Sequence, residues 1–257
     1  MKYWISFPDD SFPGPGSALE FIFPFIRMPI ESIISGKSFD GGYETFRLEE
    51  VILRLNENGD KSFQLSADTT EPLGEENRIS YHREPSRHIV YFVLTLDAET
   101  LVDIAGLMLA AGERGMSFAY KYDFWKAYWQ SVELINTYQY NKRPYAHLKR
   151  LIEPNVPAIL AKVDISDNPG RQRLTSYMQL MAAPEMWFGP RCWAYFDRSR
   201  VDSFPDAEEV RWLTGDLLYV RLFDWSTPDY ETEKILDLQK KFRAWTEMDK
   251  VERELYI

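Results

Sequence analysis

The segment that most constrains the fold is residues 185–197, in which two apolar and aromatic runs flank the pair Gly189-Pro190. Glycine accepts unusual backbone angles, whereas proline fixes one angle and donates no hydrogen bond, so this pair predicts a sharp turn. After the turn, side chains from Cys192 to Phe196 are expected to alternate in direction, as in a strand. We therefore predict a buried strand entered through a turn, and a ligand-binding role for the segment is the alternative.

Other elements are predicted from hydrophobic periodicity. Alternation or an apolar run predicts strands at residues 2–7, 51–55, 63–65, 89–96, 116–122 and 218–222. Helical spacing predicts helices at residues 101–108, 125–132, 174–181 and 235–245. Asp123 is expected to cap the second of these helices. A short acidic helix is expected to begin within 204–209, and short proline-broken helical pieces are expected within 144–169.

Polar, glycine-rich or proline-rich segments are expected to connect these elements. Residues 67–86 are predicted to form an exposed loop, and Gly41-Gly42 and Asn58-Gly59 are predicted turns. Thr227-Pro228 is the predicted start of the last helix, because proline is favoured at a first helical position.

Strands and helices interleave irregularly in this order, and hairpins recur, so the predicted fold class is α+β. We expect a mixed or antiparallel sheet with helices packed on it, including a long amphipathic C-terminal helix. The chain contains no internal repeat and no convincing linker. We therefore expect one domain over residues 1–257, and an arrangement of two lobes meeting near residues 115–145 is the alternative.

The balance of charge restricts the classes of partner. The formal net charge is −10, so the chain repels phosphate backbones and is not expected to bind nucleic acid directly. A chain of this charge attracts a basic protein and associates with it faster. Aromatic residues make up 15% of the chain, and such side chains often anchor interfaces as well as cores.

Compartment is predicted from cysteine usage and from apolar segments. The single cysteine, Cys192, excludes an internal disulfide and suits a reducing compartment. Residues 1–10 lack the apolar core of a secretory signal. Residues 19–34 are interrupted by charges and prolines and do not make a membrane span. We therefore expect a cytoplasmic protein without membrane contact.

The sequence lacks the residue spacings of known metal and catalytic sites. The histidines, His82, His88 and His147, do not form a metal-ligand spacing, and His82 and His88 are assigned to a basic loop. Cys192 is interpreted as a small buried hydrophobe rather than a nucleophile. The sequence contains no nucleophile elbow and no phosphate-binding glycine loop. We expect no catalytic residue, no metal and no cofactor.

Negative charge concentrates after the aromatic segment, beside side chains that could anchor a partner. A solvated acidic loop is the alternative for each of these residues. The predicted partner-binding residues are Asp197, Asp202, Asp206, Glu208 and Glu209.

A family resemblance rests on the aromatic N-terminal strand, on the segment around Gly189, on the later strand and on the amphipathic last helix. The quoted residues are Tyr3-Trp4-Ile5, Gly189-Pro190 and Trp193-Ala194-Tyr195-Phe196-Asp197. Over most of its length, the chain resembles the immunity proteins of bacterial polymorphic-toxin and type VI secretion systems, and among them the immunity protein 52 family. The resemblance implies a cytoplasmic α+β antidote that binds a cognate toxin, often a nuclease of restriction-endonuclease-like fold. It implies no catalytic residues.

Three functional hypotheses follow. In the first, the chain is a non-enzymatic immunity protein that inhibits a basic toxin by occluding its active site. In the second, it is a hydrolase with an unconventional carboxylate site, which would require convergent carboxylates in a pocket. In the third, it is a scaffolding component that self-associates, and a homodimer is left open.

Overall fold

One antiparallel sheet organises the fold. The computed structural model describes residues 1–35, 44–58, 61–67, 77–151, 161–224, 226 and 232–256. The strands in chain order are β1 (Lys2–Pro8), β2 (Ser32–Ser35), β3 (Glu44–Thr45), β4 (Ser62–Ser66), β5 (Arg78–Glu84), β6 (Ile89–Thr95), β7 (Phe118–Tyr122), β8 (Arg150–Leu151), β9 (Lys162–Val163), β10 (Arg173–Leu174), β11 (Gln179–Leu180), β12 (Glu185–Phe188), β13 (Glu209–Trp212) and β14 (Leu218–Arg221). Ten of them pair antiparallel in the order β13-β14-β12-β7-β1-β6-β5-β4-β2-β3. The two remaining pairs, β8-β9 and β10-β11, form separate two-stranded sheets.

Helices follow the strands irregularly along the chain. They are α1 (Pro15–Ile22), α2 (Leu48–Asn58), α3 (Ile104–Glu113), α4 (Phe124–Ser131), α5 (Ile135–Tyr140), α6 (Arg198–Asp202), α7 (Glu233–Trp245) and α8 (Met248–Leu255). Short 3-10 helices cover Phe23–Phe25, Pro85–Arg87, Glu99–Leu101 and Pro190–Ala194. The α+β class and the amphipathic C-terminal helix are confirmed. In the described part of the chain, no helix has both the length and the apolar character that a membrane crossing requires.

The central strands match the periodicity of the sequence. In β1, Tyr3, Ile5 and Phe7 point to one face of the sheet, where each is at most 1% exposed. The long run in β6 pairs with β1 along its whole length, and β7 pairs with the other side of β1. The strands predicted at 2–7, 63–65, 89–96, 116–122 and 218–222 are therefore confirmed.

Each face of the sheet carries its own hydrophobic core. The first face, which includes Tyr3 and Ile5, packs against apolar side chains of α1, α2 and α3. The second face, which includes Phe118 and Val220, packs against α6, α7 and α8. The two helical layers are offset along the sheet, since the second core centres on β7, β12 and β14. On the first face of β12, β14 and β13, Trp187 and Tyr219 are buried beside α3, whereas the side chains of Arg211 and Arg221 are 61% and 42% exposed. This region, with the adjoining part of β7, is called the open face below.

Residues 51–55 are helical, so the strand predicted there was wrong. Val51 and Leu55 lie one turn apart on the buried side of α2, whereas the side chain of Leu53 is 61% exposed. Apolar residues in so short a segment fit both a two-residue and a 3.6-residue period. Close packing of α2 against α1 favours the helix. Gly16 on α1 and Asn56 on α2 approach so closely that a Cβ on Gly16 would lie 2.3 Å from the Asn56 side chain.

The loop predicted at 67–86 was wrong for residues 78–84, which form the internal strand β5. Ile79 and Tyr81 are fully buried on the first face, between β4 and β6. Arg78, Ser80, His82 and Glu84 point the other way, and together with Arg83 they concealed the strand in the sequence. His82 therefore lies in a strand, where its ring stacks on Tyr91 with 5.1 Å between ring centroids. Residues 68–76 of the predicted loop lie outside the described residues.

Two predicted helices were also wrong. Residues 174–181 form the hairpin of β10 and β11, with Tyr177 at a φ of 71° in the turn. The acidic helix predicted within 204–209 is absent, because the local helix, α6, begins earlier. The side chain of Asp197 caps α6 by accepting from the backbone N–H of Ser199 at 2.9 Å.

The strand predicted after Gly189 was wrong as well, because residues 190–194 form a 3-10 helix. Its turn is closed by the Cys192 N–H, which donates to the Gly189 carbonyl at 3.1 Å. The strand of this segment is β12, which comes before the turn. Gly189 permits a close approach: a Cβ there would lie 2.1 Å from the carbonyl oxygen of Met116.

Predictions on the remaining connections have mixed outcomes. Asp123 caps α4 as expected, accepting from the backbone N–H of Lys126 at 3.0 Å. Within 144–169, the described residues form β8 and β9 instead of helical pieces, and 152–160 lie outside the described residues. Asn58 of the predicted Asn58-Gly59 turn is the last residue of α2, and Gly59 lies outside the described residues. The predicted turn at Gly41-Gly42 and the predicted cap at Thr227-Pro228 also lie outside them.

Candidate functional site

A row of charged side chains crosses the open face. Lys121 on β7 is opposite Glu185 on β12, which is opposite Arg221 on β14, which is opposite Glu209 on β13. Side chains in register on one face of a sheet are neighbours, so opposite charges at these positions attract. These four residues, whose charges alternate in sign across four adjacent strands, are called the charged row.

Lys121 is the buried end of the charged row, with 3% of its side chain exposed. Its Nζ lies 2.6 Å from Oε1 of Glu99 and 2.9 Å from Oε1 of Glu185. Two phenols complete the cluster. The hydroxyl of Tyr3 donates to Oε1 of Glu99, and the hydroxyl of Tyr219 donates to Oε2 of Glu185, both at 2.9 Å. These five residues, called the lysine cluster below, bond mainly to one another.

The environment of the lysine cluster determines its protonation. Partial burial acts to raise the pKa of Glu99, but hydrogen bonds from Lys121 and Tyr3, together with the lysine charge, outweigh it and hold this pKa below its ordinary value. Burial, followed by the negative charge of Glu99, raises the pKa of Tyr3. Burial and the charge of Glu185 likewise raise the pKa of Tyr219. At neutral pH the cluster therefore holds an ionised Glu99 and two neutral phenols.

A cleft of about 530 Å³ lies between α3 and the open face. Its wall on α3 is aliphatic, formed by Ile104, Ala105, Met108 and Leu109. The rings of Tyr3, Trp187 and Tyr219 line the sheet side, with centroids 6.3 Å apart for the first pair and 5.2 Å apart for the second. Glu99 and Glu185 also line this cleft, which makes it apolar with an acidic end.

A second hollow, of about 620 Å³, lies on the other side of Glu99 and Glu185. Arg221, Glu208 and Asp224 line it together with Lys121. The two hollows share Glu99 and Glu185 as lining residues, and these hollows, with the lysine cluster between them, are together called the groove below. The groove can bind a partner by contact with rings and charges along its length.

Two of the five predicted partner-binding residues belong to the open face. Oε2 of Glu208 lies 3.3 Å from Nε of Arg221, and Oε1 of Glu209 lies 3.0 Å from Nε of Arg211. The structure thus joins these two carboxylates to the charged row, although the nearby arginines offset part of their charge.

The other three predicted residues lie beside α6 and α7. Asp197 caps α6, Asp202 accepts from the indole N–H of Trp212 at 2.9 Å, and Asp206 lies 3.6 Å from Nζ of Lys241. Each of them has a local structural partner. The structure therefore divides the predicted acidic patch between the open face and the helical layer of the second face.

No family model, curated protein or solved structure matches the chain. Functional evidence therefore comes from the chemistry of the chain's own residues. Among the described residues, no group of three or more His, Cys, Asp or Glu side chains is arranged to hold a metal ion. Cys192 is fully buried in the second core, and this burial raises the pKa of its thiol well above the ordinary value.

The lysine cluster at the centre of the site was not predicted from the sequence. Lys121, Glu99 and Glu185 lie far apart in the sequence, and neither carboxylate belongs to the acidic run that was singled out. One local signal was present, because Lys121 is the charged member of the otherwise apolar and aromatic strand 118–122. A lysine in such a strand needs a buried counter-charge, since an unpaired buried ammonium is strongly unfavourable.

Proposed function

We propose that this protein binds a basic protein through its open face and inhibits it by covering the partner's active site. The observation that carries the proposal is the composition of the groove. Carboxylates outnumber cations there, and aromatic rings lie beside them. The lining carboxylates are Glu99, Glu185, Glu208 and Asp224, with Glu209 beside them on β13. The cations are Lys121, Arg211 and Arg221, and Met1, which carries the N-terminal ammonium, also lines the second hollow.

The proposed biological role is that of an immunity protein. The resemblance to the immunity protein 52 family supports it, as does the net charge of −10, which speeds association with a basic toxin. The cognate toxin is proposed to be a nuclease of restriction-endonuclease-like fold. A nuclease must attract phosphate, so its active-site surface presents the positive charge that an acidic groove complements.

The bonding of the lysine cluster favours binding over catalysis. A general acid must hold a proton at the working pH, but Glu99 has a lowered pKa. A phenol acting as a base must lose its proton readily, but the pKa values of Tyr3 and Tyr219 are raised. Lys121 donates to both carboxylates. These groups stabilise one another, and they supply the cleft with fixed charge.

The hydrolase hypothesis remains a second candidate, because one observation favours it. Glu99 and Glu185 converge on a single ammonium group beside a cleft, which is the arrangement that this hypothesis requires. Purified protein should be assayed with chromogenic glycosides and esters, together with the Glu185→Gln variant. Turnover by the wild type that is lost in the variant would support the hydrolase; no turnover is expected under the binding proposal.

Co-expression with a candidate basic toxin whose gene neighbours this one tests the proposed function. We expect the wild-type chain to restore growth and to elute with the toxin as one complex in gel filtration. Continued cell death without a complex would overturn the proposal. Reversing two charges on the open face, with Glu208→Lys and Glu209→Lys, is expected to abolish both effects by repelling a basic partner.

A matched control reverses two exposed charges elsewhere, with Glu57→Lys on α2 and Glu254→Lys on α8. It has the same net charge as the open-face variant, and we expect it to protect cells as the wild type does. Equal loss of protection in both double variants would show that net charge, and not the open face, governs binding. Circular dichroism on all variants checks that each is folded.

A further inference from the structure

We infer that the cleft between α3 and the open face receives an arginine or lysine side chain from the partner. The identity of the partner rests on the proposed function, whereas the preference of the cleft for a cation can be measured separately. The contact that anchors the interface is one long cationic side chain, with its stem against α3 and its charged head beside Glu99.

The lining of the cleft matches the two parts of such a side chain. Met108 and Ile104 on α3 provide an apolar wall for a hydrocarbon stem. Opposite them, the rings of Trp187 and Tyr219 have electron-rich faces that attract a cationic head. A neutral aliphatic ligand would use the wall but would donate no further hydrogen bond to Glu99, which Lys121 and Tyr3 contact through Oε1 alone.

Glu99 provides the counter-charge. Its Oε1 accepts from both Lys121 and Tyr3, and its Oε2 accepts no hydrogen bond from the described residues. A carboxylate accepts about four hydrogen bonds, so Glu99 has capacity for a further donor. Its side chain is 53% exposed, which leaves it accessible from the cleft.

A guanidinium group of the chain itself already lies at the rim. The guanidinium carbon of Arg211 is 5.8 Å from the centroid of the Tyr219 ring, and Nε lies 3.0 Å from Glu209. The edge of the cleft at Tyr219 therefore has room for a guanidinium group over the aromatic ring. Arg211 is 61% exposed and lines the cleft, so its positive charge, like that of Lys121 beside Glu99, repels an incoming cation. Removal of Arg211 should consequently strengthen the binding of a cationic side chain.

A short peptide, N-acetyl-Gly-Arg-Gly-amide, serves as the probe, and the same peptide with citrulline in place of arginine is its neutral isostere. Binding is followed by the NMR shift of the Trp187 indole N–H, assigned with Trp187→Phe. We expect the arginine peptide to bind at least tenfold more tightly than the citrulline peptide. We expect Glu99→Gln to weaken it about threefold to tenfold, and Arg211→Ala to strengthen it.

The affinity for the arginine peptide is expected to fall in Glu99→Gln and to rise in Arg211→Ala, and these opposite changes make the test specific. Glu57→Gln is the control for the loss of one negative charge far from the cleft. Equal binding of both peptides, or the same affinity in wild type and Glu99→Gln, would overturn the inference. If the wild type neutralises the toxin but ignores the arginine peptide, this inference fails and the proposed function stands. If the peptide binds but the toxin is not neutralised, the proposed function fails and the cation site stands.

Discussion

Nζ of Lys121 lies 2.9 Å from Oε1 of Glu185, its cross-strand neighbour, although only 3% of the lysine side chain is exposed. Removing an ammonium group from water is unfavourable, and it is tolerated when several acceptors replace the water. Glu99 supplies a second carboxylate from a 3-10 helix outside the sheet. The pair therefore ties β7 to β12 and also ties the segment before α3 to the sheet.

Replacing Lys121 should destabilise the fold because it leaves two carboxylates together without their cation. We expect Lys121→Met to lower the free energy of unfolding by about 2–3 kcal/mol, measured by urea denaturation. The matched control is Lys250→Met on α8, whose side chain is 58% exposed and which should change stability by less than about 0.5 kcal/mol. Equal effects of the two substitutions would contradict a buried role for Lys121.

Stability should fall in acid. The pKa of Glu99 is held low in the folded state, and so is that of Asp249, where Arg243 and Arg171 outweigh the effect of burial. An acid with a lowered folded pKa adds stability that is present above its unfolded pKa and is lost as pH falls through the folded value. We therefore expect the free energy of unfolding to decrease below about pH 4.5.

The contribution of Glu99 to this decrease can be separated. Glu99→Gln retains hydrogen-bonding groups but does not titrate, so its stability should fall less steeply between about pH 5 and pH 3. Urea denaturation at a series of pH values measures both curves. Parallel curves for wild type and variant would show that Glu99 does not have a lowered pKa.

Gly189 should be intolerant of a side chain. A Cβ there would lie 2.1 Å from the Met116 carbonyl oxygen, and backbone cannot move aside as a flexible side chain can. We expect Gly189→Ala to lower the free energy of unfolding by more than about 2 kcal/mol. At Gly215 an added Cβ meets nothing within 4 Å, so Gly215→Ala should be close to neutral. Thermal or urea unfolding of the two variants gives the comparison directly, and a harmless Gly189→Ala would refute the close approach.

Cys192 should be unreactive in the native protein. Its side chain is fully buried, and the raised pKa of the thiol leaves very little thiolate near neutral pH. We expect iodoacetamide to label it only after unfolding in concentrated urea, as measured by intact mass. Rapid stoichiometric labelling of the folded protein would contradict this burial.

Local sequence patterns predicted the elements whose burial is regular. β1 and β7 alternate clearly, and β6 is a long apolar run, because these strands lie at the centre of the sheet with side chains packed on it. Residues 51–55 were ambiguous because their spacing fits a helix as well as a strand, and contact with α1 decides between them. In β5, polar residues hid a strand in which Ile79 and Tyr81 are fully buried on the first face.

The sequence by itself determined the α+β class, the central strands, the amphipathic C-terminal helix and the excess of negative charge. Only the tertiary structure decided which charges meet. Lys121 and Glu185 are 64 positions apart and become neighbours because β12 inserts between β7 and β14. Local periodicity reports which face of an element is buried, but the order of strands depends on contacts between distant segments. The open face, its charged row and its cleft are products of that order.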